Sequence, residues 1–84
     1  MRARSEEVMW REVEGQAIIL DLRTSVYLTT NASGGRMWKL LQDERSADEL
    51  EQDLVATYGI DECTAQHDVL AFLDMMREND LLVD

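Results

Sequence analysis

Eighteen carboxylates, one histidine and one cysteine are the groups on this chain that could do chemistry. His67, standing alone, limits base catalysis near neutral pH. Cys63 and His67 are four apart, so on a helix they share a face. As metal ligands they would be two, with no other Cys or His to complete a site. As a catalytic pair they lack an oxyanion pocket and an orienting third residue. Gly34-Gly35 has neither the spacing nor the lysine of a phosphate loop. Close packing of a helix start on a sheet explains these glycines; the alternative is an anion held by bare amides. Neither enzyme activity nor a metal or cofactor is expected.

Length and charge narrow the classes further. A chain of 84 residues predicts one domain with a modest core. Its 45% hydrophobic content is that of a globular protein and argues against disorder. No apolar run approaches the roughly 18 residues of a membrane span. Residues 1–7 have no apolar segment behind their basic residues and read as a loose N-terminal arm, not a signal peptide. A lone cysteine fits a reducing cytoplasm. Of the net charge of −10, residues 1–30 carry −1 and residues 31–84 carry −9. An acidic helical half repels phosphate backbones, which argues against nucleic acid.

Three strands followed by three helices are expected, in one α+β domain with a winged helix-turn-helix-like shape. Val8–Val13 reads as the first strand, and Glu14-Gly15 as a tight turn. Ala17–Leu22 is apolar on both faces at its centre, which places it in the middle of a small sheet. Arg23-Thr24-Ser25 makes a second short connection, and Val26–Thr30 the third strand. Asn31 is positioned to cap a first helix bearing Met37, Trp38, Leu40 and Leu41. Ser46-Ala47-Asp48-Glu49 is a capping box for a second helix, which Gly59 ends. Asp61 caps a third helix running to about Glu78, with Ala65, Val69, Phe72, Leu73 and Met76 turned inward. Leu81-Leu82-Val83 then folds back on the core.

A sheet that ends with the third strand leaves an edge open to a visiting peptide. The third helix would form the other wall of a groove. Ala71 leaves room in that wall and Met75 adapts its shape. Val26 or Leu28 would supply the strand side. A slip of one residue exchanges these for Tyr27 and Thr29, so the face remains open at this point.

The chain resembles the PqqD-like proteins, also called RiPP recognition elements. The resemblance rests on Ile19-Leu20-Asp21-Leu22-Arg23-Thr24, Tyr27-Leu28-Thr29-Thr30-Asn31 and Met37-Trp38-Lys39-Leu40-Leu41. Glu49-Leu50, Val69-Leu70-Ala71-Phe72-Leu73 and Leu81-Leu82 extend it over about residues 8–83. No single motif is diagnostic; their order and spacing together are fairly specific. Ser25 and Asp80 stand where the family often has glycine, and Thr30 where it has leucine.

The resemblance implies binding of the leader segment of a ribosomally made precursor peptide. The leader would add beside the third strand, against the third helix, and be presented to a separate enzyme. In lasso-peptide pathways that partner is a transglutaminase-like cysteine protease; in pyrroloquinoline quinone synthesis it is a radical SAM enzyme. The lasso pathway is favoured on overall similarity. The backbone of Val26, Tyr27, Leu28 and Thr29 would pair with the leader. Ala71 and Met75 would give apolar contact, and Asp68 and Asp74 would hold a basic or hydroxyl-bearing side chain. The open edge also allows two copies to pair. A winged-helix regulator is the remote alternative.

Overall fold

The computed structural model describes residues 1–84. Its elements run β1 (Arg2–Ala3), β2 (Val8–Val13), β3 (Gln16–Asp21), β4 (Val26–Thr29), α1 (Ala32–Leu40), α2 (Ala47–Tyr58), α3 (Glu62–Glu78) and β5 (Leu82–Val83). The architecture is α+β: an antiparallel sheet of order β2-β3-β4, three helices, and a second, two-stranded sheet of β1 and β5.

Turn chemistry sets the register of the main sheet. Val13 pairs with Gln16, so Glu14 and Gly15 form a two-residue loop. Both have positive φ, 53° and 82°, as the hairpin turn that follows strand twist requires. Asp21 pairs with Val26 across a four-residue loop, closed by Ser25 N–H donating to the Asp21 carbonyl at 2.8 Å. Ser25 takes φ 60°, the conformation a glycine there would adopt freely. Leu22 falls in this loop rather than in the second strand, exposed, with its N–H on the Glu7 carbonyl.

The sheet has one covered face. Ala17, Ile19 and Asp21 alternate inward and are buried, while Ile18 and Leu20 alternate outward. Helix α1 lies on the inner face so closely that a β-carbon on Gly35 would collide with the Gly15 carbonyl oxygen. This contact accounts for the glycine. Trp38 of α1 is buried and meets Trp10 of β2 edge-on, with centroids 6.3 Å apart. Leu50 and Leu54 of α2 and the expected stripe of α3 complete one core with Leu41 and Leu81.

All three helix caps form as the sequence predicts. Asn31 accepts from Gly34 N–H, Asp61 from Thr64 N–H, and Ser46 and Glu49 make both halves of the capping box. Gly59 ends α2 in the left-handed conformation. Thr30 ends the strand by pairing twice with Ala17. Its N–H donates to the Ala17 carbonyl, and its hydroxyl accepts the Ala17 N–H.

Residues 1–7 are not the loose arm expected. Arg2 and Ala3 pair with Val83 and Leu82. Ala3 is buried, and its N–H donates to the Leu41 carbonyl. Arg4 is bound to Asp21, and the Met1 ammonium to Glu44. The partners lie 17 to 81 residues away, so no local pattern announces them.

Candidate peptide groove

Strand β4 is an edge. It pairs with β3 on one side and with nothing on the other. Main-chain parity decides what that edge offers. Thr30 N–H bonds the Ala17 carbonyl, so residues 17 and 30 form a hydrogen-bonded pair. In an antiparallel ladder such pairs alternate, which makes Ile19–Leu28 and Asp21–Val26 the next two. Tyr27 and Thr29 lie between them and direct their N–H and C=O groups to the open side.

The same parity settles the side chains. Val26 and Leu28 share the inner face with Asp21 and Ile19; Tyr27 and Thr29 share the outer face with Leu20 and Ile18. Leu28 is accordingly half-buried against the core, while Tyr27 is exposed.

Two hollows lie along the trench between β4 and α3. One, of about 300 Å³, has Ile19, Val26, Leu28 and Leu81 as its apolar lining and Glu78, Asn79 and Asp80 at the helix end. The other, of about 240 Å³, lies between Thr29–Asn31 and Ala71, Phe72 and Met75 of α3. Ala71 and Met75 are therefore in the helical wall, and Val26, Leu28 and Thr29 in the strand wall. Asp68 is half-buried and falls on the same helical stripe, three before Ala71 and seven before Met75. Asp74 is exposed, three after Ala71 and about 100° round the helix from Met75, on the solvent side of the wall. Neither aspartate lines a hollow.

Sequence reasoning missed the charged end of the trench. Arg4 Nη2 stands 2.9 Å from Asp21 Oδ1, and Arg23 Nη2 2.9 Å from Asp80 Oδ2. Arg4 Nη1 also reaches Asp80 at 3.5 Å. Asp80 takes φ 55° just after α3, which turns the chain back beneath the trench. Its place where the family has glycine was the available signal.

Other surfaces lack these properties. A hollow of about 410 Å³ on α2 and the start of α3 carries Asp48, Glu51 and Glu62 and no basic side chain. No cluster of three or more His, Cys, Asp or Glu could hold a metal ion. No helix is long and apolar enough to cross a membrane.

The geometry defines a small α+β domain with an unpaired strand facing a helical wall, the arrangement of a strand-accepting peptide groove. A family model for coenzyme PQQ synthesis protein D (PqqD) matches residues 16–82, and the chain belongs to that family. It is similar over its whole length to the structure of TbiB1 in complex with the TbiA(beta) leader peptide. Identity is 26%, coverage 100% of both chains, and the TM-score 0.86. It shares its fold with lasso peptide synthetase B1 complexed with the leader peptide, at 23% identity and a TM-score of 0.83, covering 99% of this chain and 96% of that one. A comparison with curated protein sequences finds no match.

Proposed function

We propose that this chain binds the leader segment of a ribosomally made precursor peptide and presents it to a separate maturation enzyme. The leader adds as a fourth strand on β4, pairing with the backbone of Tyr27 and Thr29. The observation that carries this reading is the edge itself, with outward main-chain groups beside two hollows that alternate inward side chains of a strand can fill. Leu28, Val26, Ala71 and Met75 supply the apolar contact. Asp68, at the margin of the wall, holds a basic or hydroxyl-bearing side chain, with Asp74 beyond it.

The likeness to TbiB1 in its leader-peptide complex supports a lasso-peptide pathway, in which the enzyme is a transglutaminase-like cysteine protease. The match to the PqqD family model favours a second reading, delivery of the precursor to a radical SAM enzyme. In both the chain acts by binding, without chemistry of its own.

Fluorescence anisotropy with labelled leader peptides of lasso-peptide precursors tests the proposal. Met75→Asp and Leu28→Asp should abolish binding while circular dichroism stays native. Equal affinity in a folded Met75→Asp variant removes the proposed wall.

A further inference from the structure

The trench between β4 and α3 is bridged at one end. Arg23 belongs to the β3–β4 loop, on the strand side, and Asp80 follows α3, on the helix side. Their ion pair, 2.9 Å from Arg23 Nη2 to Asp80 Oδ2, joins the two walls beyond Val26, at the end away from Ala71 and Met75. Both side chains are exposed, and an exposed pair by itself holds its partners weakly. Beneath it lies Arg4, only 10% exposed. It reaches Asp21 from Nη2 at 2.9 Å and Asp80 from Nη1 at 3.5 Å. Asp21 in turn accepts the Arg23 N–H at 2.9 Å. Arg4, Asp21, Arg23 and Asp80 thus form a closed ring of alternating charge.

We infer that Arg4 is a positioning residue for the bound peptide. It acts through Asp21 and Asp80, which line the adjoining hollow, and fixes the separation of the strand wall and the helix wall there. The inference rests on the strand-addition reading above and extends it to a residue behind the lining. Connectivity is the first reason. The Arg4 N–H donates to the Leu81 carbonyl at 2.9 Å, and buried Leu81 is part of the same hollow. Main chain and side chain of one residue therefore hold both the helix side and the strand side.

The chemistry of the guanidinium is the second reason. Its planar fork can face two carboxylates at once, where an ammonium is a single point charge. Its three nitrogens are buried and none makes a directed hydrogen bond, so the contacts are charge on charge, where solvent screens little. Asp80 is the third. It holds φ 55°, a conformation that glycine adopts freely and aspartate at a cost. Only the acid closes the ring. A hollow held at fixed width receives an inward side chain without first being ordered, which favours binding. The effect is local: the hollow at Ala71 and Met75 has no member of the ring in its lining.

The test uses the full chain and labelled leader peptides of lasso-peptide precursors, with affinity read by anisotropy and folding by circular dichroism. Arg4→Lys keeps the charge and loses the fork. Asp80→Asn removes the bridge, and asparagine tolerates the left-handed φ, so the fold is kept. Each should weaken leader binding roughly threefold or more. Together they should weaken it no more than the larger single change, since both break one ring. Met75→Ala, in the other hollow, should combine with Arg4→Lys as an independent loss. A role confined to fold stability would move none of these affinities. Unchanged leader affinity in Asp80→Asn overturns the inference, whether or not Arg4→Lys folds. Independent losses from Arg4→Lys and Asp80→Asn also overturn it. A wild-type chain that binds no leader removes the strand-addition reading itself.

Discussion

Arg4 and Asp21 form an ion pair at the end of the peptide trench, 2.9 Å apart, with each side chain only 10% exposed. Asp21 Oδ1 also accepts the Arg23 N–H at 2.9 Å, so this one carboxylate ties the N-terminal segment to the β3–β4 turn. Removing Arg4 leaves Asp21 buried without its cation. Arg4→Leu should cost about 3 kcal/mol in urea unfolding, and Arg4→Leu with Asp21→Leu less than the two single changes combined. Additive costs would show that the two do not act as a pair.

The parity of β4 makes a prediction that side-chain changes cannot. Thr29 N–H points away from β3, so proline there removes no ladder bond of the fold. Thr29→Pro should remain folded and lose leader affinity by roughly tenfold, one charge-neutral main-chain donor being gone. Leu28→Pro removes a bond to β3 and should cost about 3 kcal/mol of stability. Undiminished binding by folded Thr29→Pro would place the peptide off this edge.

Glu14 holds φ 53° beside Gly15 at 82°. Asparagine reaches this left-handed geometry at lower cost than glutamate. Glu14→Asn should therefore raise stability by about 0.5 kcal/mol, measured by urea denaturation, with leader binding unchanged.

Acid sensitivity follows from three carboxylates held below their ordinary values. The Ser46 N–H does this for Glu49, the Arg36 side chain for Asp53, and the Thr64 N–H for Asp61. A depressed folded pKa gives stability that is complete above the unfolded value and lost as pH falls through the folded one. The ordinary values are 4.5 for Glu49 and 3.8 for the two aspartates. The urea midpoint should hence lose these contributions as pH drops below those values. Asp53→Asn should shallow that fall and cost about 1 kcal/mol or less at pH 7, since the Arg36 side chain is 42% exposed and the pair is screened by solvent.

Much of this fold was legible because its causes are local. Ser46 and Glu49 are three apart, Glu14-Gly15 is a turn by composition, and the inward stripe of α3 repeats at helical spacing. The edge position of β4 followed from the apolar centre of β3. The groove's face was not legible, because Val26–Leu28 and Tyr27–Thr29 satisfy the same alternation; only Thr30, fixed to Ala17 by two hydrogen bonds, selects one. Arg4, Asp21, Arg23 and Asp80 are brought together from distant parts of the chain, and no spacing in the sequence encodes that meeting. Asp74 neighbours Ala71 on the helix but lines neither hollow.

The pairing of Arg2–Ala3 with Leu82–Val83 also bears on the order in which the molecule assembles. Joining these strands closes a loop of nearly the whole chain for only a few hydrogen bonds, whereas the β2–β3 hairpin and the helices close short loops. The clasp therefore forms after the folding barrier is crossed and opens before it on the way out. Weakening it at Ala3 or Leu82 should speed unfolding and leave the folding rate almost untouched. The clasp thus governs how long a folded molecule persists, not how quickly one is made.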